Sequence, residues 1–110
     1  MVHTQTVANT FIFLGIQEHI NISPVKLQKL TYFLYNEYLR KTGDKLFNEP
    51  FTDSKYGPFL PSLRYKFSSY GDKPVIQFYR TATGHAEIID LNFENVLSES
   101  LKKIWKLHKI

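Results

Sequence analysis

Apolar residues recur at helical spacing in three parts of the chain. The first part covers residues 4–19 and places its apolar side chains at intervals of four and three residues, the spacing of one α-helical face. These side chains are Val7, Phe11 and Leu14, flanked by Ala8 and Ile12. We expect Thr4 or Thr6 to cap this helix, because threonine hydroxyls accept bonds from free N–H groups.

The second part is the most clearly bounded helix of the sequence. It begins at Ser23-Pro24, a capping residue followed by a proline that loses no helical bond in the first turn. It ends at Gly43, which readily adopts the left-handed conformation of a helix C-terminus. One face carries Leu27, Leu30, Thr31, Leu34 and Tyr38. We therefore predict a helix over about residues 24–42.

This helix has apolar side chains beyond its main face. Tyr32, Tyr35 and Leu39 lie to one side of the leucines, and Phe33 lies on the other flank. The remaining polar strip is narrow and consists of Lys29, Asn36 and Arg40. A helix that is apolar nearly all round is usually buried between neighbours. We favour a central helix. The alternative is a surface that meets a partner or a second copy of the chain.

Prolines and a glycine interrupt the segment that follows. Tyr56-Gly57-Pro58 is typical of a turn, and we expect Tyr56 and Phe59 to pack inward beside it. A short helix is predicted from Ser62, with its end at Gly71.

The last third of the chain contains two different patterns. The runs PVIQFYR and HAEIIDL, joined by TATG, are rich in β-branched and aromatic residues and predict a small β-hairpin over about residues 75–91. An amphipathic helix is predicted over about residues 94–109. Its apolar face holds Leu97, Leu101, Ile104 and His108, with Trp105 at the edge. The predicted fold is one mainly α domain over residues 1–110, compact around the central helix, with a small β-hairpin.

Composition supports a folded domain and excludes several kinds of chemistry. Of the 110 residues, 43% are hydrophobic and 15% aromatic, which is typical of a globular chain. The absence of cysteine excludes disulfides, thiolate metal sites and a cysteine nucleophile. No apolar run reaches the roughly 20 residues of a membrane helix, and the first residues lack the pattern of a signal peptide. We expect a cytoplasmic protein.

No catalytic, metal or cofactor pattern stands out. The four histidines do not lie near one another or near acidic residues at metal-ligand spacing. The five glycines are scattered, so no phosphate-binding loop is present, and no serine occupies a nucleophile elbow. We predict that the chain is not an enzyme and requires no cofactor.

The balance of charge is weakly basic. The formal net charge is +4, and lysines cover one side of the C-terminal helix. Five cations along the chain could form a second basic patch: Lys26, Lys29, Lys55, Arg64 and Lys66. We favour an ordinary solvated surface, because nucleic-acid-binding proteins show stronger clustering or a known motif. Binding of nucleic acid stays as a less favoured alternative.

Residues 8–71 carry an ordered set of motifs. An Ala-Asn-x-Phe helix opens the set, followed by Lys-Leu-Gln-Lys-Leu at residues 26–30 with aromatic residues after it. Leu46-Phe47, the Tyr-Gly-Pro turn at residues 56–58, and a helix ending in Phe67-x-x-Tyr-Gly complete it. This order resembles the Panacea domain family, which includes SocA-like antitoxins and phage-associated GepA-like proteins.

The chain departs from the family pattern in three places. Ser54 stands near the position of a usual tryptophan, and Phe59 takes the place of a usual valine after the turn. Family members usually continue beyond their C-terminal helix, whereas this sequence stops at Ile110. We interpret the chain as a shortened or divergent member.

The resemblance implies a domain that neutralises a partner toxin by direct binding and is not an enzyme. Such members are often found in prophages and mobile elements, and some deliver a toxin to a protease. An alternative is a phage accessory protein that binds and inhibits a host or defence protein. The predicted partner-binding residues are Tyr32, Tyr35, Tyr56, Phe59, Arg64 and Tyr65. For Tyr56 and Phe59, packing in the core is the competing interpretation.

Overall fold

A computed structural model describes residues 1–110 as an assembly of helices without a β-sheet. The elements in chain order are α1 (Thr4–Glu18), α2 (Pro24–Thr42), α3 (Pro61–Lys66), a short 3-10 turn (Ser68–Tyr70) and α4 (Val96–His108). Thr52 and Phe59 form an isolated antiparallel bridge. The radius of gyration is 13.1 Å, close to the value of about 13 Å expected for a compact chain of this size.

Helix α2 is the central element, as the sequence predicts. It packs most extensively against α4 and also against α1. Leu27 and Leu30 of its main face are each 1% exposed. The Ser23 hydroxyl accepts a hydrogen bond from the Lys26 N–H at 3.2 Å, and Gly43 ends the helix with φ +76°. Both predicted boundary signals are therefore confirmed.

The additional aromatic side chains of α2 have neighbours within the molecule. The ring of Tyr35 lies 5.0 Å from that of Phe47, and the ring of Tyr32 lies 5.0 Å from that of Phe51. On the other flank, Phe33 stacks on His108 of α4 at 4.3 Å. Because α2 is apolar over nearly its whole surface, it needs neighbours on two sides, and the structure provides them.

Helix α1 buries the predicted apolar side chains but begins differently. His3 occupies the N-cap position and makes no side-chain capping bond, so the prediction that Thr4 or Thr6 caps the helix is wrong. Both threonines are instead buried within the first turn. The Thr4 hydroxyl donates to the Glu49 carboxylate at 3.3 Å. A tertiary contact therefore takes the hydroxyl that a local cap would have used.

The predicted β-hairpin over residues 75–91 does not form. The bond from the Thr81 N–H to the His85 carbonyl at 2.8 Å closes a turn, but no ladder continues from it. The two runs lie on α1 instead. The Asn9 amide donates to the Tyr79 carbonyl at 2.9 Å and accepts from the Tyr79 N–H at 2.8 Å. Side chains of a helix thus satisfy backbone groups that a second strand would otherwise pair.

Two further bonds hold the same segment on α1. The Asn9 amide also donates to the Glu87 carbonyl at 3.3 Å. The Thr10 hydroxyl accepts from the Ile89 N–H at 2.8 Å. β-branched residues indicate an extended backbone, but they do not specify its hydrogen-bond partner. The hairpin prediction was wrong for this reason.

The two remaining helical predictions hold with small changes. The helix expected from Ser62 to Gly71 divides at the buried Phe67 into α3 and the 3-10 turn. Helix α4 begins with a capping box in which Asn95 and Ser98 bond each other's backbone. None of the helices combines the length and the apolar character required to span a membrane.

Candidate functional site

The Lys-Leu-Gln-Lys-Leu segment and the Tyr-Gly-Pro turn, distant in sequence, form the two walls of one groove. The groove has a volume of about 300 Å³ and lies between the start of α2, the turn and α3. Residues on α2 that line it include Val25, Leu27, Gln28 and Lys29; from the turn and α3 come Tyr56, Gly57, Pro58, Phe59, Leu63, Arg64 and Phe67. We refer to this cavity as the motif groove.

Gln28 fixes one wall of the motif groove to the other. Its side-chain N–H donates to the Leu60 carbonyl at 3.0 Å, and its side-chain oxygen accepts from the Leu60 N–H at 2.8 Å. Leu60 is fully buried, so its backbone groups need protein partners. The glutamine between the two motif leucines is therefore a clamp that positions the chain just after the turn.

The turn is held by its own short-range bonds. Thr52 and Phe59 exchange backbone bonds of 2.8 and 2.9 Å across its base. The Ser54 hydroxyl donates to the Gly57 carbonyl at 2.8 Å and accepts from the Tyr56 N–H at 3.2 Å. Gly57 has φ +103°, a conformation that side-chain-bearing residues rarely adopt. These constraints preset the position of Tyr56 and Phe59.

Cations border the groove without opposing charge. The guanidinium of Arg64 lies 3.6 Å from the centre of the Phe59 ring, a cation–π contact. The ammonium of Lys55 lies 5.0 Å from the Tyr56 ring. Lys29 and Arg64 line the groove, and its lining includes no acidic residue. The site is therefore an apolar hollow with a positive edge.

The structure brings together only part of the predicted binding set. Tyr56, Phe59 and Arg64 line the motif groove, whereas Tyr32 and Tyr35 lie in the aromatic cluster with Phe47 and Phe51. Tyr65 is 83% exposed on α3 but does not line the groove. A binding role for Tyr32, Tyr35 and Tyr65 stays a prediction.

The structure shows which residues of the two motifs are exposed and which are in contact with the rest of the chain. Tyr56 is 70% exposed, so its predicted inward packing is wrong. Phe59 is partly buried. Of the motif lysines, Lys26 donates to the Lys109 carbonyl, and Lys29 remains exposed. The turn therefore presents a tyrosine to the outside and directs the neighbouring phenylalanine into the groove.

The other basic residues do not form one continuous patch. Lys66 donates to Gln5 at 2.9 Å and lies 4.9 Å from the Tyr79 ring. On α4, Lys103 pairs with Glu37 at 2.9 Å and Lys109 pairs with Glu18 at 2.8 Å. Several lysines that could have contacted phosphates thus have partners within the chain.

Glu37 is a structural feature that the sequence analysis missed. Its side chain is 7% exposed on α2 and pairs with Arg40 of the same helix and Lys103 of α4. The hydrogen bonds from Arg40 and then from Lys103 lower the pKa of Glu37 to about 2. A glutamate three residues before an arginine is a recognisable helical pair, but only the fold brings the lysine of α4 to it.

We expect the Glu37 network to make stability depend on pH in the acid range. The folded-state pKa lies below the ordinary value of 4.5, so the ionised group stabilises the fold above about pH 4.5. That contribution is lost as the pH falls from 4.5 towards 2. Glu37→Gln should lower the Tm at pH 7 and give a flatter Tm profile between pH 5 and pH 2, measured by circular dichroism.

The control for this prediction is Glu94→Gln, which changes an exposed carboxylate that makes no salt bridge. This variant should follow the wild-type profile. Identical acid profiles for Glu37→Gln and the wild type would contradict the assigned role of Glu37.

Metal-ligating side chains do not converge anywhere in the fold. No group of three or more His, Asp or Glu side chains is arranged to hold a metal ion. The motif groove is lined by none of these residue types.

Comparison with known proteins agrees with the motif pattern. The family described as Antitoxin SocA-like, Panacea domain, matches residues 27–106. The Antitoxin SocA of Caulobacter vibrioides (strain NA1000 / CB15N) is 36% identical over 75 residues, which are 68% of this chain and 40% of that relative. The chain thus spans less than half the length of this curated relative. No solved structure matches the chain. The family match covers most of the sequence, including Gln28 and the Tyr-Gly-Pro turn on the two walls of the motif groove, and the chain belongs to the SocA-like antitoxin family with a Panacea domain.

Proposed function

We propose that this chain is a non-catalytic protein-binding domain that neutralises a partner toxin by direct contact through the motif groove. The observation that carries the proposal is the meeting of two family motifs on one open, largely apolar hollow. Membership of an antitoxin family supports the type of partner. A domain that neutralises by binding needs such a surface and needs no reactive groups.

The residues at the groove fit the chemistry of protein interfaces. Tyrosine and arginine are enriched among the residues that contribute most to binding energy. Tyr56 is exposed at the groove, and Arg64 is held against Phe59. The Gln28 clamp and the turn bonds fix the backbone on which these side chains are presented, so less backbone conformational entropy is lost when a partner binds.

The test is neutralisation of a toxin, beginning with any toxin-like protein that is encoded beside this gene. Co-expression with the wild-type chain should restore growth, and the purified proteins should form a complex. Tyr56→Ala and Arg64→Glu should each weaken the complex about tenfold or more, as expected for central interface residues. Isothermal titration calorimetry measures the Kd, and circular dichroism confirms that each variant folds.

Lys102→Glu is the matched control, because it makes the same type of charge reversal at an exposed position of α4. It should leave the Kd unchanged. Restored growth and unchanged affinity in Tyr56→Ala and Arg64→Glu would place the toxin contact elsewhere. Failure of the wild-type chain to bind or neutralise the toxin would remove the proposed function itself.

A further inference from the structure

We propose that the motif groove recognises an acidic-apolar peptide segment of the protein partner. In such a segment, a large aliphatic or aromatic side chain enters the hollow, and a neighbouring Asp or Glu meets Arg64 and Lys29. This inference rests on the proposed function and specifies the chemistry of the partner's contacting segment.

The interior of the groove is shaped to accept an inserted side chain and not to match a flat surface of a partner protein. Leu27 and Leu63 are buried residues of its lining, and Val25 is an exposed apolar side chain at its edge. Its volume of about 300 Å³ lies at the small end of the range of about 300–1,000 Å³ that is typical of ligand pockets. A hollow of this size accepts one or two large side chains from an extended segment.

The positive charge at the groove favours a negatively charged side chain next to the apolar side chain of the bound peptide. Lys29 and Arg64 line the groove and take part in none of the salt bridges of the fold, which involve Arg40, Lys103 and Lys109. The first residues of α2 also lie at the groove, and the positive end of a helix dipole favours an anion there. Because the lining contains no acidic residue, no negative charge of the groove repels the carboxylate of a bound peptide.

The same features favour a peptide over nucleic acid. Proteins that bind nucleic acid gain affinity from many contacts between cations and phosphates. Here Lys66, Lys103 and Lys109 are bonded to other residues of the chain. The two cations that line the groove border an apolar hollow, which a phosphate backbone would leave unfilled. A peptide with a carboxylate next to an apolar side chain pairs with the cations and also fills the hollow.

The experiment selects random peptides displayed on phage against the purified chain of residues 1–110. The enriched sequences should combine Asp or Glu with an adjacent large apolar residue. A fluorescent peptide carrying the enriched sequence should bind by anisotropy, and replacing its acid by the corresponding amide should weaken binding about tenfold. Arg64→Glu should abolish binding of this peptide and, in a second selection, shift enrichment towards Lys and Arg. Lys102→Glu should change neither result.

The outcomes separate this inference from the proposed function. Enrichment of basic sequences or of none, or binding that Arg64→Glu leaves intact, would overturn the inference even where the toxin is neutralised. Enrichment of acidic-apolar peptides whose binding Arg64→Glu abolishes would support the inference about the groove even if no toxin were bound or neutralised. In that case the proposed neutralisation of a toxin would fail and the peptide specificity of the groove would stand. A labelled DNA oligonucleotide that binds through Arg64, in place of any peptide, would overturn the inference in favour of nucleic acid.

Discussion

Asn9→Leu is expected to lower the free energy of unfolding by about 2–4 kcal/mol, although leucine is similar in size and more hydrophobic. Asn9 is 1% exposed and makes three hydrogen bonds with the backbone of Tyr79 and Glu87. Leucine would leave the Tyr79 N–H and the carbonyls of Tyr79 and Glu87 without these partners. An orphaned group costs about 1–3 kcal/mol when it is fully buried, and each costs less here because Tyr79 is only partly buried and Glu87 is exposed. The loss should exceed any gain from the added apolar surface.

Urea denaturation followed by tryptophan fluorescence and circular dichroism measures this effect. Amide hydrogen exchange should also accelerate at Tyr79, because its N–H loses its acceptor. The control is Asn36→Leu, in which an exposed asparagine bonded only to its own helix is replaced. We expect a change of less than about 0.5 kcal/mol for this surface position. Equal stability of the Asn9 and Asn36 variants would show that the segment over residues 75–91 does not depend on Asn9.

Gln28→Ala is expected to lower the free energy of unfolding by about 1–3 kcal/mol and also to loosen the motif groove. The substitution removes both bonds to Leu60 and leaves its buried N–H without an acceptor. The Leu60 carbonyl retains the bond from the Arg64 N–H at 3.1 Å, so one orphaned group accounts for most of the loss. The adjacent Phe59 and Arg64 should become more mobile.

Two measurements distinguish the clamp from a general core role. Denaturation gives the stability, and titration with the partner or with the selected peptide gives the Kd under conditions where the variant is fully folded. Gln28→Ala should weaken binding even then, whereas Gln77→Ala, at an exposed position without side-chain bonds, should change neither quantity. Loss of stability with unchanged affinity would show that the clamp supports the fold and not the site.

The helices could be predicted from sequence because their signals are local. Ser23 and Gly43 mark the ends of α2 through bonds and dihedral angles within a few residues. The leucine spacing of α2 and the apolar face of α4 are likewise determined by neighbours one or two turns away. The aromatic surplus on α2 correctly indicated a helix covered on two sides.

The extended segment over residues 75–91 shows where local reasoning fails. Its β-branched residues predict an extended backbone, but the choice between a second strand and the side chains of α1 is made across about 70 positions of sequence. Asn9 was recognised as part of a motif, and its hydrogen-bonding role was not. A buried asparagine on an otherwise apolar helix face is the signal that could have indicated it.

The sequence identified individual residues of the candidate site but not how they are arranged in space. The motif pattern selected Gln28 and the Tyr-Gly-Pro turn, and Arg64 was a predicted partner-binding residue. The structure places all of them at one groove. The tyrosines were harder to assign, because exposure depends on which neighbours are present. Tyr56 faces outward, whereas Tyr35 packs on Phe47.

The sequence by itself determined where the helices lie, the two ends of α2 and the membership of a family, because these depend on short-range spacing and on the order of motifs. Only the tertiary structure decided that Gln28 clamps Leu60, that Asn9 replaces a strand partner, and that Glu37 meets Lys103. Each of these contacts joins groups far apart in the chain. Burial makes such partners necessary, since an unpaired polar group or charge away from water is costly, but only the packing of the helices determines which partner is within reach.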